Sequence, residues 1–152
     1  MTEGEYFTEE YAGPGGGIYA ENYRGTYELR VYSDIGLVSS LKLTDESGND
    51  ILNFGEKFDL AVTHYNGDGL PEFSLGQWGS SNLGIYDMYT LNDVGEIYRT
   101  ARGITDAGLS FSSEFERTGD GFITKVYHND TGKYSQEIWS WSEDEEKFVK
   151  KQ

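Results

Sequence analysis

Short runs in which apolar and polar side chains alternate residue by residue fill the chain from Ile18 onward, and this period of two limits the fold more than any other feature. In Tyr27-Glu28-Leu29-Arg30-Val31-Tyr32 and Gly84-Ile85-Tyr86-Asp87-Met88-Tyr89, successive side chains must point to opposite faces, and β-branched and aromatic residues supply the apolar side. These runs predict strands. Ser142–Lys151 has the acid-first, base-last order that suits a helix dipole. Trp139-Ser140-Trp141, an acidic turn and Lys147-Phe148-Val149 read more simply as a closing hairpin, with both tryptophans on one face beside Phe148. Turn chemistry of one kind recurs at Leu43–Asn49, Leu91–Glu96 and His128–Lys133, where Asn or Asp precedes a glycine by two or three residues, as in a type I turn closed by a left-handed glycine. The expected class is all-β, built of antiparallel meanders.

A chain of 152 residues is one ordinary domain, long enough to bury roughly two-thirds of its unfolded surface. Residues 1–17 carry charge and glycine without sustained periodicity, so they read as a flexible N-terminal lead-in, with 18–152 as a single β domain. The cluster Gly13-Pro14-Gly15-Gly16-Gly17 lacks the GxGxxG spacing, and no Gly-Lys-Ser/Thr follows, so it reads as a linker and not as a phosphate cradle. The formal net charge of -15 repels nucleic acid and anionic membranes and attracts cations and basic partners. Aromatics at 15% set the chain apart from acidic chains that stay disordered. With no cysteine there is neither a disulfide nor a thiolate ligand. No apolar run approaches the about 18 residues of a membrane span, so membrane insertion is not expected.

The stretch His64-Tyr65-Asn66-Gly67-Asp68-Gly69-Leu70-Pro71-Glu72 alternates oxygen-bearing side chains with permissive glycines. A hard cation such as Ca²⁺ takes about six to eight oxygens, and Asn66, Asp68 and Glu72, with the Leu70 carbonyl, offer them from alternate positions. An imidazole at His64 suits softer metals better. Equally, Asx residues beside glycine commonly bond their own backbone in a tight turn.

Residues 58–98 resemble a blade of the FG-GAP or VCBS-type β-propeller repeats of integrin α-subunits and many bacterial surface proteins, whose calcium loop resembles D-x-N-G-D-G-x-x-D. The resemblance implies that Asn66, Asp68 and Glu72 are ligands and Leu70 a carbonyl ligand, while His64 stands where the family has its first Asp. Residues 111–149 resemble a blade more weakly, through Glu116-Arg117-Thr118-Gly119-Asp120-Gly121-Phe122-Ile123-Thr124, where Glu116 and Asp120 are the charged candidates. The turn glycines at 48, 95 and 132 bracket the about 40–45 residues of a propeller blade, giving three blade-like units. Three blades do not close a ring of the usual four to eight. One compact domain of three meanders is therefore expected ahead of a fragment of a longer array or an oligomer that completes the ring. The resemblance also implies an extracellular or cell-surface protein, although the N-terminus MTEGEYFTEE lacks the basic and apolar regions of a signal peptide.

No catalytic constellation emerges, and the expected function is non-enzymatic. His64 and His128 lack zinc-motif spacing and read as exposed turn or strand residues. Glu114 and Glu116 share a strand face as a glycosidase pair would, but 27 acidic residues produce such pairs by chance. Ser110, Ser112 and Ser113 form no G-x-S-x-G elbow. Trp78, in the polar segment Gly76-Gln77-Trp78-Gly79-Ser80-Ser81-Asn82, is a candidate exposed platform with amides at Gln77 and Asn82. An interaction or ligand-binding module, stabilised by calcium and recognising a protein or glycan, is expected. The alternatives are a carbohydrate-binding module using exposed Trp and Tyr, and an acidic protein that neutralises a basic partner.

Overall fold

The computed structural model describes residues 1–13, 16–45, 47–55, 57–80, 83–108 and 110–151. Thirteen strands and no helix form among them. Six belong to the N-terminal part: β1 (Glu3–Gly13), β2 (Gly16–Thr26), β3 (Glu28–Ser33), β4 (Gly36–Lys42), β5 (Leu52–Phe54) and β6 (Val62–Thr63). The remainder are β7 (Glu72–Ser80), β8 (Leu83–Leu91), β9 (Ile97–Asp106), β10 (Glu116–Arg117), β11 (Gly121–His128), β12 (Lys133–Ser142) and β13 (Lys147–Lys150). All pair antiparallel.

Two sheets are consecutive four-stranded meanders, β6-β7-β8-β9 and β10-β11-β12-β13. The first part of the chain divides differently, into β1-β2-β5 and the two-stranded β3-β4. Residues 1–17, expected as a lead-in, contain strand β1. Glu3–Gly13 pairs along its whole length with β2, from Glu3↔Thr26 to Gly13↔Gly16. Alternation was hard to see there because Glu and Gly interrupt the apolar side, and pairing with β2 supplies the missing backbone bonds. Pro14 and Gly15 of the glycine cluster lie outside the described residues.

All three turn glycines have positive φ, 86° at Gly48, 83° at Gly95 and 65° at Gly132. Gly95 and Gly132 join the hairpins β8–β9 and β11–β12. Gly48 closes a turn of a different kind: Gly48 N–H donates to the Asp45 carbonyl at 3.0 Å, yet β4 and β5, on either side, belong to different sheets.

The sheet β6–β9 is the middle layer, and its period-two alternation divides the core in two. Tyr86 and Met88 point one way, against Phe115, Phe122, Trp139 and Phe148 of the C-terminal sheet and its lead-in. Phe73, Leu75 and Tyr89 point the other way, against Leu52, Phe54 and Phe111, with Leu29 and Leu41 at the margin. Tyr86 fills the first face because Gly76 and Gly84 flank it: a Cβ at either glycine would strike its ring. Trp139 and Trp141 act as their spacing predicted. Trp139 is buried and stacked on Phe122 at 6.0 Å, while Trp141 meets Phe148 edge-on at 5.0 Å. The segment after Ser142 is a strand, with Trp141↔Phe148 in register.

Candidate functional site

Strand β7 carries both sequence-predicted sites, one at each end. At its C-terminal end the ladder with β8 shifts register between Trp78 and Ser80, which releases Trp78 from the regular sheet surface. Its side chain is 62% exposed. The indole lies nearly parallel to the buried Phe111 ring, at 6.2 Å and 5°. Phe111 in turn meets Phe54 edge-on at 5.3 Å, so the exposed ring is backed by core aromatics.

Beside the indole runs a chain of amides from three sheet strands. Asn53 Nδ2 donates to Asn22 Oδ1 at 2.7 Å, the Asn53 N–H donates to Gln77 Oε1 at 2.9 Å, and Gln77 Nε2 donates to the Gly76 carbonyl at 3.0 Å. Each amide is thereby held in one orientation. Asn22 is buried although polar, which its bonds to Asn53 and, at 3.3 Å, to the Ala20 carbonyl make tolerable. Two clefts flank the pair Gln77–Trp78. One of about 200 Å³ lies among Asn22, Asn53, Gly55 and Phe111, and one of about 270 Å³ lies among Thr44, Asp45, Leu75 and Asp87. An aromatic face beside fixed amides can hold a ring that has both C–H faces and hydroxyls. Asn82, the third expected member, lies outside the described residues.

Asp87 closes the second cleft from below. It sits where the β8–β9 register is interrupted, between Tyr86 and Met88, and is buried. Arg99 Nε lies 2.9 Å and Arg102 Nε 3.8 Å from Asp87 Oδ2, and Gly103 N–H donates to Oδ1 at 3.2 Å. Both guanidinium groups also donate to Thr44 Oγ1, at 3.1 and 3.0 Å. The cluster ties the segment after β4 to the middle sheet.

At the N-terminal end of β7, the 64–72 turn folds as an Asx-rich wrap with Gly67 and Gly69 at φ of 80° and 85°. Asn66 Oδ1 accepts from Asp68 N–H at 3.1 Å, Asp68 Oδ1 accepts from Leu70 N–H at 2.7 Å, and Asn66 Nδ2 donates to Asp68 Oδ2 at 2.8 Å. The exposed His64 donates through Nδ1 to the Leu70 carbonyl at 2.7 Å, which fixes the proton on that nitrogen. Glu72 departs from the rim and turns inward. Its side chain is 0% exposed; Oε2 accepts from Tyr65 N–H at 2.7 Å, and Oε1 has no hydrogen-bond partner. Burial pushes the Glu72 carboxyl up to about 7, with Asp68 pushing the same way and the Tyr65 N–H opposing. All the loop donors are oxygens, the set a hard cation takes, and the buried unpartnered Oε1 is the atom that such an ion would satisfy. No group of three His, Asp or Glu gathers at one point among the described residues.

The other candidate residues lie elsewhere in the fold. The 116–124 segment is the β10–β11 hairpin, where Glu116 pairs with Lys125 at 3.7 Å and Asp120 with Lys151 at 4.0 Å. His128 is exposed, and its Nε2 lies 2.7 Å from Ser135 Oγ. Glu114 and Glu116 are both exposed. Ser112 Oγ donates to the Ser74 carbonyl at 2.7 Å, and Ser113 Oγ bonds Tyr86 Oη at 3.2 Å, so both hydroxyls pin the Ser110–Phe115 segment to the middle sheet. Asn22, Asn53 and Phe111 were missed in the sequence. They are distant from Trp78 along the chain, and only the pairing of β2 with β5 and the approach of Phe111 to Gly76, whose N–H donates to the Phe111 carbonyl at 2.9 Å, bring them together. Comparison with protein-family models, curated proteins and solved structures found no match.

Proposed function

We propose that this domain is a non-enzymatic ligand-binding module that takes a carbohydrate in the clefts beside Trp78. The observation that carries the reading is the exposed indole, backed by Phe111 and bordered by oriented amides of Asn22, Asn53 and Gln77. A sugar presents an apolar C–H face to such a ring and hydroxyls to such amides, and binding of this kind needs no charged partner. Titrating neutral oligosaccharides while following Trp fluorescence tests it. A saturable change that disappears in Trp78→Ala is expected; binding that survives in that variant, or none across a broad glycan panel, rejects the reading.

A second role falls to the 64–72 turn, which we read as a calcium-stabilised element. The buried, unpartnered Glu72 Oε1 favours it. Asn66, Asp68, the Leu70 carbonyl and Glu72 would hold the ion, and its chemistry there is charge neutralisation and stiffening of the turn, with His64 outside the ligand set. The two consecutive four-stranded meanders support the resemblance to propeller blades, and with it a place at the cell surface.

A further inference from the structure

Strands β3 and β6 each have one neighbour in their sheets and one open edge among the described residues. Both edges border an apolar groove. One wall is β3, where the consecutive residues Leu29 to Tyr32 line the groove; the other is formed by Leu60, two residues before β6, and Val62 of β6, with Pro71, Phe73, Leu91 and Ile97 completing the lining. The groove continues past Leu29 and Leu60 between Tyr27 and Phe58, with volumes of about 350 and 570 Å³ in its two parts. Leu60 and Val62 are 42% and 55% exposed. An isolated two-stranded ribbon is marginal in water, and β3–β4 gains only part of its cover from Leu29 and Leu41 packing on the core.

The groove's chemistry specifies what would fill it. Unpaired strand edges offer N–H and C=O groups to another extended backbone, whereas a helix satisfies its own. Leu29 with Val31, and Leu60 with Val62, each fall two residues apart, so an added strand would bury an apolar side chain at every second position. The net charge of -15 sets the rest. It repels a second copy of this chain and attracts a strand with cationic residues at the alternate, outward positions. We propose that the groove between β3 and β6 takes one extended strand of a basic partner protein, joining the β3–β4 ribbon to the middle sheet by strand addition.

A short synthetic peptide of alternating Val and Lys is the probe, with Ser/Lys and Val/Glu alternating peptides as controls. Binding is followed by calorimetry, and its place by amide hydrogen exchange on the intact chain. The Val/Lys peptide should bind and slow exchange at β3 and at Val62–Thr63; Leu60→Glu and Val62→Glu should each weaken it about tenfold or more, and Trp78→Ala should leave it unchanged. Both charge variants alter exposed side chains, so folding is preserved and checked by far-UV spectra. Equal binding of the Ser/Lys peptide, protection elsewhere, no binding, or a dimer of this chain broken by Leu60→Glu each overturns the proposal.

Discussion

Glu72→Gln isolates the cost of the one fully buried carboxylate among the described residues. In the folded chain burial pushes this group up to about 7, against an ordinary value of 4.5. Below the unfolded value both states hold the proton, and nothing is lost. Between about 4.5 and 7 the folded state keeps a proton that the unfolded state releases, so stability falls as pH rises, and the loss is complete above about 7. The shift amounts to about 3 kcal/mol. Gln cannot titrate. Its amide brings a fixed penalty beside Tyr65 N–H and Thr90, but that penalty is the same at every pH, so the stability difference between variant and parent isolates the charge. Urea unfolding at intervals from pH 4.5 to 8 should show the variant gaining about 3 kcal/mol on the parent, or roughly 6–12 °C in melting temperature for a chain of this size. Saturating Ca²⁺, by favouring the ionised carboxylate, should shrink that gap. Parallel stability curves for the two proteins would refute a buried, proton-binding Glu72.

Trp139→Ala should cost about 3–5 kcal/mol in chemical denaturation, because a buried ring stacked on Phe122 leaves a cavity the rigid sheets cannot close; a near-neutral result would mean that this face packs elsewhere. Asp87→Asn leaves Arg99 facing a neutral amide in a mostly buried setting and should destabilise by about 2–4 kcal/mol, with the double variant Asp87→Asn/Arg99→Met recovering part of the loss. Calcium at ten times its dissociation constant should add about 1.4 kcal/mol of stability, lost in Asp68→Ala, retained in His64→Ala and increased in His64→Asp; calorimetry without calcium heat in both parent and His64→Asp would reduce the turn to its hydrogen bonds.

Local features were legible in the sequence wherever the physics is local. Alternation at Tyr27–Tyr32 and Gly84–Tyr89 gave strands, the positive-φ glycines gave turns, and the i, i+2 spacing of Trp139 and Trp141 gave a shared buried face. What could not be read there depends on partners far along the chain. Glu3–Gly13 becomes a strand through β2, and Gly48 closes a turn that leads to a different sheet because β5 pairs with β2 and not with β4. Alternation assigns a residue to a face but not to a core. Glu72 shares its face with Ser74, Tyr86 and Met88, and its register partner is Thr90, so the residue expected from the sequence as the turn's last ligand is an interior residue of the middle layer. The amides at Asn22 and Asn53 gave no signal, because a lone Asn in a strand is unremarkable until a second strand sets another beside it.

The placement of the two sites on β7 decides how they relate. Glu72 and Trp78 are six residues apart on one strand, a separation of about 20 Å at the rise of an extended chain. Between them β7 is paired on β8 through Gln77↔Ile85, and Ser74 is bonded to the Ser113 backbone at 2.8 Å in both directions. A strand held this way has no second arrangement for a cation at one end to select, and coupling between sites requires an element with two states that both ligands bias. The effect of a cation bound there would then be confined to the turn and to the charge of Glu72, while the cleft owes its shape to Phe111 and the amide chain. The groove between β3 and β6 is lined by Phe73, Leu91 and Ile97 of the middle sheet as well as by Val62, and Trp78 is not among its lining residues. A partner strand there would stiffen β3 and β6 without touching Trp78, so one small domain could hold a glycan and a protein at the same time.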